Sequence, residues 1–194
     1  MSIIESTLKS ERGFVAYLTA GDGGVARTKS ALLALVEGGA NILEVGMPFS
    51  DPLADGKTIQ AAAQRSLEAG TTMDDVFQLI RDVKKETNTP IIFFSYYNPI
   101  YNAGDSFFRR AKAAGVDGCL VVDLPLEEAD DYQKSCLSVD IDPIFILSPS
   151  TPVERIQAIA EKSRGMLYYV TRSGTTGIQS TLPDDLKENL QTIQ

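Results

Sequence analysis

The chain has 194 residues, 43% of them hydrophobic, and a net charge of −8. That is enough for one compact domain with a real core. The acidic balance speaks against nucleic acid or an anionic membrane as partner, because phosphate binding needs concentrated Lys and Arg. No apolar run approaches the roughly 20 residues that span a bilayer, and the start of the chain lacks the apolar stretch of a secretion signal. There is no histidine, which excludes His-based triads and leaves carboxylates, Lys, Tyr and backbone for any chemistry. The two cysteines, Cys119 and Cys136, have no metal-ligand spacing; reduced thiols in the cytoplasm are the expectation.

Short continuous apolar runs alternate with segments of helical period. Residues 14–19 form the first expected strand and residues 28–37 a helix with Leu32, Leu35 and Val36 inward, ending at Gly38-Gly39. Residues 42–45 are the second strand, followed after a loop by a helix over 58–67. Thr72 and Asp75 make a capping-box start for a helix with Val76, Leu79, Ile80 and Val83 on one face. A third strand over 90–94 precedes a helix over 107–114; a fourth over 118–122 precedes a helix near 126–138. The fifth strand, 143–147, leads into a helix opened by Thr151-Pro152-Val153-Glu154. A sixth strand over 166–170 is followed by a last helix from about Pro183, with Leu186, Leu190 and Ile193 at helical spacing. Continuous apolar strands are strands covered on both faces, hence a parallel sheet. Six β–α units suit a doubly wound sheet or a barrel, and periodicity alone does not choose.

The most informative stretch runs Asn-Ile-Leu-Glu-Val-Gly-Met-Pro-Phe-Ser-Asp-Pro-Leu-Ala-Asp-Gly over residues 41–56. It sets Glu44 inside an apolar strand and Asp51 and Asp55 on the loop that follows. A carboxylate in apolar surroundings loses hydration of its charged form, so its pKa rises toward the range useful for proton transfer. With a wetter carboxylate nearby, the two form an acid/base couple in unequal environments. A buried ion pair or an N–H-bonded core carboxylate is the other reading of Glu44, and an N-cap for the next helix is the other reading of Asp55. Ser50-Asp51-Pro52 reads as a turn. Gly21-Asp22-Gly23-Gly24 is not a dinucleotide fingerprint, since the third spaced glycine is missing.

This segment resembles the tryptophan synthase alpha subunit family, and the resemblance extends unit by unit from about Phe14 to Gly177. It implies a (β/α)8 TIM barrel, here with about six β/α units in a single domain over residues 1–194. The implied reaction is retro-aldol cleavage of indole-3-glycerol phosphate to indole and glyceraldehyde 3-phosphate. On that match Glu44 and Asp55 take the two catalytic carboxylate positions, Glu44 as proton shuttle and Asp55 as acceptor of the indole N–H. Tyr17, Phe94, Leu120, Val122 and Ile146 align with the apolar indole pocket; Tyr96 falls near the indole and Tyr168 against the acid/base couple. Residues 171–177 align with a lid, in which Thr176 would reach Asp55 and Gly177 would help hold the phosphate. Asp51 and Arg172 are the loop positions, Asp51 on a loop that the family places against its partner. That partner is the beta subunit, in an alpha2beta2 heterotetramer, and the family expects pyridoxal phosphate there and no cofactor in this chain.

Relative to the family pattern the last two β/α units, with their phosphate-holding loops, are missing, so a C-terminally truncated chain with two unpaired strand edges is expected. The alternative to catalysis is an interaction module that docks on and modulates the beta subunit. Another phosphate-handling barrel enzyme, such as an aldolase, is a third possibility; the absence of a strand-borne lysine speaks against its Schiff-base versions.

Overall fold

A computed structural model describes residues 1–10, 13–171, 181–184 and 186–193. Among these described residues there are six strands: β1 (Val15–Thr19), β2 (Ile42–Gly46), β3 (Ile91–Ser95), β4 (Gly118–Val121), β5 (Asp142–Leu147) and β6 (Leu167–Tyr169). Every neighbouring pair is parallel, and the spatial order is β1-β2-β3-β4-β5-β6. A doubly wound sheet reverses its strand order at a switch point, whereas a barrel adds each strand beside the last. The strictly consecutive order is therefore that of a barrel wall. β1 and β6 stand at its ends, each with one neighbour among the described residues.

Between the strands lie α2 (Val25–Glu37), α3 (Lys57–Glu68), α4 (Met73–Lys84), α5 (Tyr97–Ala103), α6 (Phe107–Ala114), α7 (Asp130–Ser138) and α8 (Val153–Lys162); α1 (Ile3–Ser10) precedes them and α9 (Leu186–Ile193) follows. α4 shows why these segments hold. Thr72 accepts the Asp75 N–H while Asp75 accepts the Thr72 N–H, closing the expected capping box. Acids fill its first turn and Arg81 and Lys84 its last, matching the helix dipole. Val76, Phe77, Leu79, Ile80 and Val83 are buried. Phe77 meets Phe93 of β3 and Phe107 of α6 with ring centroids 5.8 and 5.7 Å apart.

The strands carry two cores. One face packs on the helices through Leu43, Val45, Phe93, Cys119 and Phe145. The other gathers Ile42, Ile92, Leu120 and Ile144 around Ile4 of α1. Gly118 has no side chain because Ile4 and Ile144 fill that space; a Cβ there would stand 2.7 Å from Ile4 Cδ1. α1 is thus a plug for the end where the strands begin.

Two helices depart from the sequence reading. The sequence pattern assigns no element to α1, nor to α5 in the stretch between the third strand and the helix over 107–114. Pro99 sits in the first turn of α5, where proline is tolerated. The Tyr97 N–H that opens this helix is capped by Asp123 Oδ1 at 2.7 Å, from the far side of β4. The segment near 126–138 is a 3-10 turn (Leu126–Glu128) followed by α7. Thr151 does not cap α8, which starts after Pro152; its hydroxyl accepts the Ser148 N–H instead.

Candidate active site

On β2, Ile42, Glu44 and Gly46 share the inner face, since alternate residues of a strand point the same way. Ile42 belongs to the inner core, which places Glu44 one step nearer the mouth, where the strands end. Glu44 is 3% exposed, and its Oε1 has no hydrogen-bond partner. No Lys or Arg among the described residues forms an ion pair with it, so the buried-pair reading is not what the fold built. Burial alone pushes its carboxyl up to about 7.

Asp55 lies at the end of the loop after β2 and is 8% exposed. It does not cap α3: the N-cap is Gly56, with no side-chain cap bond. The Tyr96 hydroxyl donates to Asp55 Oδ2 at 3.0 Å and accepts the Ala54 N–H at 2.9 Å. The Tyr96 ring packs against Phe49, centroids 5.0 Å apart. One tyrosine at the end of β3 therefore pins the loop at both ring and hydroxyl. Burial raises the pKa of Asp55, and the Tyr96 hydrogen bond opposes the rise. Asp51 is exposed and bonded by the Ser50 hydroxyl, and its carbonyl accepts the Leu53 N–H, as a turn residue should.

Two phenols border the pair. Tyr17 of β1 is the register neighbour of Glu44. Burial is the main cause that lifts its pKa to about 12, with Asp55, Glu44 and Tyr168 adding to it. Tyr168 of β6 is likewise raised to about 12, by burial first and then by Glu44. Glu44 and Tyr168 sit four strand intervals apart, roughly 19 Å along a flat sheet at the usual strand spacing. Their electrostatic contact requires the sheet to curl. Both phenols keep their protons at neutral pH and can donate hydrogen bonds.

Leu120 is fully buried in the inner core, while Phe94, Val122, Ile146 and Tyr168 on the same face are only partly buried. These residues form an apolar wall above a closed floor. Lys57 lies exposed at the first position of α3, not on a strand. Arg172, Thr176 and Gly177, and with them most of the expected lid, lie outside the described residues. Sequence reasoning had not given Gly46 or Phe49 a part, nor Tyr96 its hold on Asp55. The alternation of Glu44 and Gly46 on one strand face was the available signal for the first.

A parallel barrel wall with a dehydrated acid and a hydrogen-bonded carboxylate at the strand ends defines a β/α-barrel enzyme of acid/base type. A sequence model described as tryptophan synthase alpha chain matches residues 4–194. The tryptophan synthase alpha chain of Coxiella burnetii (strain CbuK_Q154) is 52% identical over 194 residues, covering 100% of this chain and 76% of that one. That of Opitutus terrae is 43% identical over 187 residues, covering 96% and 70%. Among solved structures, one from the tryptophan synthase a2b2 complex of Pyrococcus furiosus superposes with a TM-score of 0.87 at 41% identity, covering 93% of this chain and 73% of that one. The alpha subunit from Legionella pneumophila does so at 0.84 and 39%, covering 88% and 68%. The chain belongs to the tryptophan synthase alpha chain family.

Proposed function

We propose that this chain cleaves indole-3-glycerol phosphate into indole and glyceraldehyde 3-phosphate, with Glu44 as the proton shuttle and Asp55 as the anchor of the indole nitrogen. The observation that carries the reading is a buried carboxyl whose pKa burial lifts to about 7, with a second carboxylate at the same strand ends held by the Tyr96 hydroxyl.

The protonated Glu44 carboxyl gives its proton to indole C3. The ring becomes an indolenine cation, and its N–H donates to the Asp55 carboxylate, which balances the charge. Glu44, now ionised, takes the proton of the hydroxyl on the carbon attached to C3. The C–C bond breaks, its electrons return to the ring, and the hydroxyl carbon leaves as an aldehyde. One proton enters at carbon and one leaves at oxygen, so the step is redox-neutral and asks for no cofactor. Tyr17, Phe94, Leu120, Val122, Ile146 and Tyr168 supply the apolar walls for the bicyclic ring, and Tyr96 its side nearest Asp55. For the loop positions Asp51 and Arg172, and for Thr176 and Gly177, the family resemblance is the support.

The same relatives support a beta subunit as partner and one barrel-type domain over residues 1–194. Cytoplasmic residence is supported by the two free, buried thiols, Cys119 and Cys136, and no helix among the described residues is long and apolar enough to cross a membrane.

The test is Glu44→Gln assayed for indole release with the beta subunit present. Turnover should fall by about 10²–10⁴-fold, the usual worth of a positioned acid/base group, while substrate binding persists. The wild-type pH profile should be a bell: a rising limb as Asp55 ionises and a falling limb near 7 as Glu44 loses its proton. Retained turnover in Glu44→Gln rejects the assignment.

A further inference from the structure

Three neighbouring strands meet at a side chain that is not there. Tyr17 on β1 is the register partner of Glu44, and Phe94 on β3 is the register partner of Gly46. A Cβ at position 46 would stand 2.6 Å from Tyr17 Cζ and 2.8 Å from Cε2, and closer still to the hydroxyl oxygen. The tyrosine therefore occupies the space a side chain at 46 would take. Its ring crosses β2 there and meets Phe94 edge-on, with centroids 5.2 Å apart and planes at 74°. Its hydroxyl lies 3.3 Å from Thr19 Oγ1. Parallel strands all run toward the mouth, so a ring that starts level with Glu44 and ends over Gly46 lies on the mouth side of Glu44.

We propose that Tyr17, seated over Gly46 and packed against Phe94, is the cover that keeps bulk water from Glu44. It acts as a positioning residue, and the inference rests on the acid/base reading of Glu44 while adding the group that sets the strength of that acid. Burial is the cause of the raised Glu44 pKa, so whatever excludes water there controls it. Among the described residues, the titratable groups that face Glu44 are Tyr17 on β1 and Tyr168 on β6, with Asp55 beyond Gly46 in the loop. β3, β4 and β5 present Ile92, Phe94, Leu120, Ile144 and Ile146 to the same face, all apolar.

The experiment measures two things in the full chain with its beta subunit: the falling pH limb of cleavage, and the carbon-13 NMR titration of the Glu44 side-chain carboxyl, assigned by its loss in Glu44→Gln. Gly46→Ala evicts the ring and Tyr17→Ala deletes it. Both should move the limb and the carboxyl titration down by about one unit or more, toward an ordinary carboxylate. Tyr17→Phe keeps the ring and should leave both in place. A carboxyl that still titrates near 7 in both alanine variants overturns the proposal, as does a Tyr17→Phe shift equal to that of Tyr17→Ala. If Gly46→Ala does not fold, the Tyr17 pair decides alone. The NMR titration reads the cover even where Glu44→Gln shows the acid/base reading to be wrong, which keeps the two failures apart.

Discussion

Asp142, where β5 begins, and Glu44, near where β2 ends, are both carboxylates buried in strands, 1% and 3% exposed. Each has one oxygen without a partner, Oδ2 and Oε1. The surroundings differ. Arg164 donates from Nε to Asp142, and Gly165 leaves room for the carboxylate, since a Cβ there would stand 2.9 Å from Asp142 Cγ. Glu44 meets phenols and apolar side chains and no cation among the described residues. The same depth of burial thus holds a structural ion pair at one end of the barrel and a transferable proton at the other. Burial sets the stakes, and the presence or absence of a countercharge decides the role.

Removing the countercharge tests this most severely. Arg164→Ala should lower stability by about 4 kcal/mol in urea unfolding at neutral pH, the usual cost of a buried charge left alone. Much of the loss should return in Arg164→Ala/Asp142→Asn, and the falling limb of the cleavage profile should stay near 7 throughout.

Glu44→Gln should do the opposite and stabilise. The Glu44 carboxyl goes from 4.5 when exposed to about 7 in the fold. Below 4.5 both states are protonated and nothing is lost. As pH rises from 4.5 through 7 the folded protein must bear a buried charge, a penalty of about 3 kcal/mol above pH 7. The variant should therefore be more stable at pH 8 by about that amount and equal to the parent near pH 4, by thermal or urea unfolding. A parent whose stability is flat across that window would break the comparison.

The smallest effect is at the loop. Tyr96→Phe removes one hydrogen bond to Asp55 and one from Ala54, which should cost about 1 kcal/mol and raise the Asp55 pKa. The rising limb of the cleavage profile should then move to higher pH, with the falling limb unmoved.

What the sequence disclosed, and what it withheld, follows the range of the forces involved. The α4 capping box, the α6 span and the buried face of α4 are local patterns, and they appear where the residues put them. The acid in an apolar strand was equally visible, because Ile42, Leu43 and Val45 flank Glu44 directly. α5 was missed because its cap, Asp123, comes from beyond another strand. α1 was missed because its role is to fill a hole left by Gly118, far along the chain. Periodicity did not separate barrel from doubly wound sheet, because strand order is a tertiary fact with no periodic trace; the family resemblance chose the barrel, and the consecutive strand order bears it out. The hold of Tyr96 on Asp55 and the crossing of Tyr17 over Gly46 are likewise contacts between strands, which single-residue reasoning could place on a face but not join.

The consecutive strand order has a consequence for synthesis. Tyr17, Glu44, Gly46, Asp55, Phe94 and Tyr96 are all synthesised by residue 96, on three consecutive strands and the segments that follow the second and third. Later units add to the growing edge without parting those strands. The proton-handling centre can therefore assemble while the rest of the polypeptide is still being translated, with Tyr168 arriving last to a nest already built.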